Sequence, residues 1–424
     1  MSGARTSRSA DVVLVIGSRR AGIYVRFSRF PPLRSSTAVI TSRRTRRGAL
    51  VVRMRIRGRS VRPVLQRAYR FPGPSPTPPA PTPPPVPASP ATDGPFEVTE
   101  CGDATPLAGA PASAFDAMWR RSGAGWTGGD GTYSVPLPDG RILWLFGDTF
   151  VGGVTATGAR AADSVMVNNA FVVQDGRCLT TLAGGTRQHP AAMVGTGVSG
   201  SWYWPAGARV SGSTLTVALW RFTRTGIGMW DWRFDGSTLA FFSLPDLRLR
   251  NVVGLPGGAR VAWGVAFLDN GDKTYVYGVE DRGLDKRLHV ARTSLGQLTT
   301  GWQYYDGDDW SLDPGASAPV LSGVSNMFSV FPADDGVCLI TQRPLSDRIM
   351  LHRAASPAGP WHEGTDIAEI PDPGPDRMAY NALAHPELSA PGELLLSYNV
   401  IALSQDGLYA SADAYRPRFL IASG

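Results

Sequence analysis

Residues 126–150 read Trp-Thr-Gly-Gly-Asp-Gly-Thr-Tyr-Ser-Val-Pro-Leu-Pro-Asp-Gly-Arg-Ile-Leu-Trp-Leu-Phe-Gly-Asp-Thr-Phe, and this stretch decides the fold. Two β-forming runs, 132–135 and 142–146, flank Leu137-Pro138-Asp139-Gly140-Arg141. Pro presets φ and Gly accepts a positive φ, so the segment between them is a turn and the whole is a hairpin. Folding it symmetrically about Asp139 sets Ser134 opposite Trp144, Thr132 opposite Phe146 and Asp130 opposite Asp148. Facing residues in such a pair have Cβ atoms about 4.5–5.5 Å apart, where like charges destabilise. Crowded carboxylates split their pKa values into an acid and a base, which makes Asp130 and Asp148 candidate catalytic residues. Their glycine neighbours also suit them as turn residues capping backbone N–H groups, and a bulge would separate them.

Charge is distributed unevenly over the 424 residues. Residues 1–70 hold 18 Arg, no Lys and one Asp, which leaves 24 basic and 34 acidic residues in the remainder. The net charge of +7 therefore belongs to a tail, and the body is mildly acidic. Phosphate contacts need clustered Lys and Arg, so no nucleic acid is expected on the folded domain. The segment 1–71 is expected to be a disordered basic tail. It reads as an over-extended start (with a natural start at Met54 or later), an anion-binding arm or a targeting segment. Its apolar runs, 12–16 and 49–52, fall short of a signal-peptide core, and no run approaches the length of a transmembrane helix. Residues 72–95 form a Pro-rich linker of extended polyproline II character.

From 96 to 424 the chain alternates short β-forming runs with Gly, Pro and Asp-Gly turns. Strands are expected at 142–146, 170–174, 214–222, 229–234, 275–279, 288–292, 336–341, 349–354 and 393–399. One helix is expected at 114–121, with Ser113 as its N-cap. Leu288-His289-Val290-Ala291-Arg292 followed by Gly301-Trp302 is echoed by Leu351-His352-Arg353-Ala354-Ala355 followed by Gly359-Pro360-Trp361. The strand-and-turn unit 229–244 is a third such element. Repeats of this kind without helices indicate propeller blades, and at an assumed 60–70 residues per blade the domain holds roughly five. The expected fold is all-β, a five-bladed β-propeller preceded by the Arg-rich and Pro-rich region; a β-sandwich pair is the alternative. Cys101 and Cys178 lie in loop-like sequence and can pair if the protein is exported. Cys338 reads as a buried strand thiol.

Trp126–Phe150, Asn168-Asn169, Trp202-Tyr203-Trp204-Pro205, Ser325-Asn326 and His385-Pro386-Glu387-Leu388 together resemble a group of actinobacterial five-bladed propeller domains of unknown function. The wider group includes endo-D-arabinanases, and it is similar in architecture to the arabinanase, levansucrase and invertase propellers. The resemblance runs from about Ala124 to the C-terminus. It implies catalytic carboxylates at Asp130 and Asp148, a site at the mouth of the central channel, and a secreted or cell-surface location. In arabinanase-like propellers the general acid comes from a later blade, which makes Glu280 a third candidate; its other reading is a strand-end acid paired with Arg282.

Substrate-binding candidates follow from chemistry. The amides of Asn168, Asn169 and Asn326 offer both donor and acceptor to sugar hydroxyls, or else cap turns and ladder ends. Trp126 and Trp204 are the indoles favoured for stacking on a sugar face, although most of the 12 tryptophans are expected in the packing. His385 beside Glu387 can orient hydroxyls or tune a carboxylate, or can sit buried on backbone groups. No metal-ligand spacing occurs, so no cofactor is expected, and a channel-bound calcium or sodium ion stays open. No Gly-x-Ser-x-Gly elbow, phosphate loop or dinucleotide fingerprint stands in a strand-to-helix context. The expected activity is hydrolysis of a furanoside-containing, arabinan-type polysaccharide by a monomer. A non-catalytic carbohydrate-binding propeller and a structural or interaction propeller are the alternatives.

Overall fold

The computed structural model describes residues 95–423 apart from 103–105, 228–230, 345 and 375, together with the backbone of six short strands between Val12 and Arg70. The expected basic tail and Pro-rich linker otherwise lie outside the described residues. The chain divides into two compact units, Met1–Pro83 and Pro84–Gly424. In the first, the six strands pair as two antiparallel three-stranded sheets.

The second unit is all-β and built from successive antiparallel sheets. The first contains Tyr133–Pro136, Ile142–Phe146, Ala170–Asp175 and Cys178–Gly185, with Phe96–Cys101 added outside. Next comes the meander Ser201–Ser211, Thr214–Arg224, Trp232–Ser243, Arg248–Gly254. The sheet after it is built on Ala262–Asn270, Lys273–Arg282 and Asp285–Ser294. A further meander runs Phe328–Ala333, Gly336–Gln342, Arg348–Ala354, Thr365–Glu369, and the last sheet is Arg377–Ala384, Glu393–Ala402, Pro417–Ser423. Each sheet's first strand packs on the first strand of the next. The last returns to the first through Thr132 Oγ1 donating to Asn399 Oδ1 at 2.8 Å and Ser134 Oγ meeting His385 Nδ1 at 2.6 Å. The result is a closed ring of sheets.

Hydrophobic burial holds neighbouring sheets face to face. Leu143, Leu145 and Phe171 pack on Leu215, Val217 and Phe242. Trp220, Leu239, Trp263, Val276, Phe328 and Leu339 join the middle of the ring. Ile340 and Ile349 pack on Leu396 and Val400. The seam between last and first sheets is filled by the helix Ala112–Met118 and the turn after it. Phe115 and Trp119 insert among Trp126, Trp144, Phe146, Leu395 and Phe419. Burying each such aromatic contributes roughly 2–3 kcal/mol. Close approach of the inner strands needs Gly207, where a Cβ would lie 2.6 Å from the Val265 carbonyl oxygen.

The sequence repeats find their place here. His289 and His352 both lie on third strands, Asp285–Ser294 and Arg348–Ala354, as does the unit within 229–244 on Trp232–Ser243. Each ring nitrogen Nδ1 reaches a loop that returns beside the strand: Ser317 Oγ at 2.9 Å and the His362 carbonyl at 3.1 Å. The helix begins earlier than expected, at Ala112, with Pro111 and not Ser113 at the N-cap. Pro has no N–H to lose and its fixed φ suits the entry to a first turn. Cys338 is a buried strand thiol.

Cys101 faces Cys178 across an antiparallel pair and is disulfide-bonded to it, with Cα atoms 4.0 Å apart. The bond fastens the outermost strand Phe96–Cys101 to the ring. Closing a loop with a sequence separation of 77 removes unfolded-state entropy worth about 2–4 kcal/mol. The double variant Cys101→Ser/Cys178→Ser is therefore expected to unfold at lower denaturant by that amount. A chemical-denaturation midpoint equal to that of the oxidised protein contradicts this.

Candidate active site

The hairpin of residues 126–151 pairs as its turn chemistry dictates: Ile142 with Pro136, Trp144 with Ser134, Leu145 with Tyr133. The same symmetric register continues beyond, with Thr149 opposite Gly129 and Phe150 opposite Gly128. Between the two paired regions the backbone turns sharply. Gly131 and Thr132 adopt φ of +94° and +49°. A positive φ on a β-branched residue costs on the order of 1 kcal/mol or more, and the buried Thr132–Asn399 hydrogen bond holds it. The kink separates the hairpin into two sheets without shifting its register; the bulge lies further on, between Phe150 and Val151. Gly147 N–H donates to the Asp130 carbonyl at 2.7 Å and Asp130 N–H to the Asp148 carbonyl at 3.4 Å. Asp130 and Asp148 thus face each other at the break.

Their side chains line one cavity of about 1250 Å³. Asp130 Oδ2 accepts from Tyr380 Oη at 2.7 Å, and Tyr415 also donates to this carboxyl. Burial, reinforced by the charge of Asp148, pushes its pKa up to about 7 against those hydrogen bonds. Asp148 Oδ1 accepts from Trp204 Nε1 at 2.7 Å and Asn168 Nδ2 at 3.0 Å. Burial raises its pKa too, but both donors and the Arg224 charge favour the ionised form. Burial raises the pKa of both carboxyls, but their surroundings differ: the charge of Asp148 adds to the rise at Asp130, whereas Trp204, Asn168 and Arg224 oppose it at Asp148.

Two supports fix this geometry. A Cβ at Gly147 would lie 2.6 Å from Asp130 Oδ1 and 3.7 Å from Trp204 Cδ1, so only glycine leaves the carboxyl in place. The buried guanidinium of Arg160 stacks 3.7 Å from the Phe150 ring centroid and donates to the Leu408 and Ala412 carbonyls. It pins the segment that carries Tyr409 and Tyr415.

The cavity gathers Asp130, Asp148, Asn168, Trp204 and Asn326 of the residues singled out from sequence. Trp204 packs against Phe222 and Trp232, with centroids 4.4 and 5.4 Å apart, to make an aromatic wall. The others lie elsewhere. Glu280 is not among the lining residues. It sits within the strand Lys273–Arg282 and pairs with Arg282 at 3.0 Å and Arg260 at 3.8 Å, which together with His289 hold its pKa low against burial. Trp126 is buried between Trp119 and Phe146. Asn169 clamps backbone, donating to the Val194 and Tyr203 carbonyls at 3.0 Å each. His385 is fully buried between Ser134 and Ser397, and burial lowers its pKa to about 3. Glu387 accepts from Ser134 Oγ, and burial raises its pKa. Neither of these lines the cavity. Tyr380, Tyr415 and Arg224 are the site residues that the sequence reading missed. Tyr380 stands five residues before the His385 motif; Tyr415 carries no local signal at all. Among the described residues no group of three or more His, Cys, Asp or Glu is placed to hold a metal ion, and no helix is long and apolar enough to cross a membrane.

Linkage gives a test of the Asp130 environment. Its folded pKa of about 7 lies above the ordinary value of 3.8, so the folded state is favoured below about pH 4 and loses stability as pH rises toward 7. Asp130→Asn keeps an acceptor for Tyr380 and removes the charge. It is expected to stabilise the protein by about 1–3 kcal/mol at pH 8 and by little at about pH 4. Denaturation at both pH values checks this; equal effects at the two would contradict it.

No curated protein matches the sequence. A putative hydrolase from Bacteroides ovatus ATCC 8483 shares the fold, with a TM-score of 0.61 at 22% identity over 73% of this chain and 88% of that one. A family 117 glycoside hydrolase from the marine bacterium Zobellia galactanivorans aligns at a TM-score of 0.42 and 10% identity, over 78% and 90% of the two chains. An endo-arabinase from Bacteroides thetaiotaomicron VPI-5482 aligns at 0.41 and 10%, over 75% and 97%. Similarities as distant as these last two carry no argument about the site. The model of one family matches residues 112–423, most of the ring and its sealing helix, and the chain belongs to that family, the domain of unknown function DUF5005.

Proposed function

We propose that the ring is a five-bladed β-propeller, one blade for each large sheet, and that it hydrolyses glycosidic bonds with Asp130 and Asp148. The observation that carries this reading is the carboxylate pair itself: two facing acids with different hydrogen-bond and charge partners in one roomy cavity. Glycoside hydrolysis needs one carboxyl that bears a proton and one that does not, flanking an oxocarbenium-like centre. Asp130, crowded by burial and by Asp148, supplies the proton to the leaving oxygen. Asp148, held by Trp204, Asn168 and Arg224, acts as base or nucleophile with its remaining oxygen. Trp204 has its N–H committed to Asp148, which fixes the indole plane and leaves a face for a sugar ring. Asn168 and Asn326 supply amides for hydroxyls.

The favoured substrate is a furanoside-containing polysaccharide of the arabinan type, on the motif resemblance. The roles of the remaining candidates are structural in this proposal: Glu280 in an ion-pair group, Trp126 in the seam, Asn169 on backbone, His385 and Glu387 at the ring closure. The Cys101–Cys178 disulfide supports an oxidising compartment.

A hydrolysis screen with D-arabinan and L-arabinan tests the proposal. Wild type should release sugar, and Asp130→Asn and Asp148→Asn should each abolish release in a folded protein. The pH profile of kcat/KM should fall above about pH 7 as Asp130 loses its proton, and at low pH as Asp148 gains one. Turnover that survives both substitutions would sink the reading. Gly147→Ala should leave the fold intact yet lower turnover on the order of 100-fold, because its methyl displaces the Asp130 carboxyl. Unchanged turnover in that variant would show that the placement of Asp130 is immaterial.

A further inference from the structure

Eleven large apolar side chains are exposed among the described residues, and five of them line the same cavity: Met166, Ile227, Leu284, Met378 and Tyr409. Scattered exposed apolar residues are ordinary, so it is the convergence on one rim that calls for a cause. They come from five separate segments: the strand Val165–Val167, the turn after Thr214–Arg224, the turn joining Lys273–Arg282 to Asp285–Ser294, the start of Arg377–Ala384, and the helix Gln405–Ala410. Ile227 is 106% exposed and Leu284 55%, so neither contributes to the core. Sugar recognition does not account for them. A sugar asks for amides, charges and flat aromatic faces, which Asn168, Asn326 and Trp204 already provide. Four of the five, Met166, Ile227, Leu284 and Met378, carry aliphatic tips, which match an aliphatic chain instead.

The charges on the rim sharpen the choice of occupant. Lys286 is paired with Asp281 at 2.6 Å and Glu369 with Arg348 at 2.8 Å, and Asp347 lies 3.4 Å from the same Arg348. Arg343 lies 3.3 Å from Asp366, and Arg224, Asp372 and Arg377 line the same cavity, so the signs nearly balance and leave little net field for an anionic lipid surface to meet. The apolar residues also come from five separate segments that line one cavity rather than from a single face of one element. Both features favour a single chain that enters with the substrate. Resting on the glycoside-hydrolase reading, we propose that the substrate is a glycan bearing an aliphatic substituent, an acyl or alkyl chain. The sugar reaches Asp130 and Asp148 while the chain lies across Ile227 and Leu284 toward Met378 and Tyr409.

The test uses methyl, butyl and octyl arabinofuranosides below their micellar concentrations, titrated calorimetrically into the full-length Asp130→Asn protein. A fully buried methylene is worth roughly fourfold in affinity, so even with half the chain wet the octyl compound should bind at least about 10-fold more tightly than the butyl one. Ile227→Ser/Leu284→Ser in the same background should flatten that dependence while its melting temperature stays the same, since both side chains are exposed. Equal affinity across the three chain lengths overturns the proposal. So does a chain-length gain that the double variant leaves untouched, which places the chain elsewhere, or one that appears only above the micellar concentration, which reports surface adsorption. Wild-type protein run against the same three compounds separates the two claims. Absence of hydrolysis with the chain-length dependence intact overturns the glycoside-hydrolase reading alone and supports the apolar rim.

Discussion

The site depends on one backbone constraint, the register of a single hairpin carried across a break. Pro138 and the Asp139-Gly140 turn set the pairing, and nothing between there and Phe150 slips it. Because side chains alternate with a period of two, a shift by one residue would have turned one carboxyl away from the other. The positive φ at Gly131 and Thr132 lets the strand leave one sheet and join another while Gly147 N–H and the Asp130 carbonyl stay bonded. Local strain at 131–132 is thus the structural condition for two acids to meet, and Asn399, from the far end of the chain, is what holds it.

Around this break the ring supplies what the hairpin lacks. Its closure brings Tyr380 and Tyr415, more than 200 residues away in sequence, onto Asp130, and the neighbouring sheet brings Trp204 and Arg224 to Asp148. The asymmetry between the acids is therefore a tertiary property. Burial and a nearby like charge leave Asp130 poised for a proton in spite of its hydroxyl donors; at Asp148 an indole, an amide and a guanidinium oppose the same burial. Seam packing by Phe115 and Trp119 joins the last sheet to the first without a shared strand.

What could be read from the sequence was local or periodic. The hairpin register followed from turn chemistry, and the repeated strand with its histidine mapped onto equivalent third strands in successive sheets. The family of all-β architecture was legible for the same reason. The surroundings of the other candidates depended on neighbours that local sequence does not show. Glu280 reads either as a third site acid or as a strand-end acid paired with Arg282; the structure has that pair, and Arg260 joins it from another loop that the sequence does not reveal. Trp126 stood beside the carboxylate motif in sequence, yet the helix Ala112–Met118 and Trp119 bury it on the opposite side. His385 and Glu387 carry site-like chemistry that Ser134 absorbs at the ring closure. Tyr415 could not have been found, because a tyrosine between Ala414 and Arg416 has no pattern to mark it.

The central claim is that burial and mutual crowding hold the two facing carboxyls above the ordinary range, with Asp130 brought to about 7. Carbon-13 NMR titration of the wild-type aspartate carboxyls, assigned by substitution, measures this directly. The account predicts a midpoint near pH 7 for Asp130 and one raised above the ordinary carboxylate range for Asp148. Midpoints for both in the ordinary range near pH 4 would contradict it, and would leave the pair as two solvated turn residues without an acid to give.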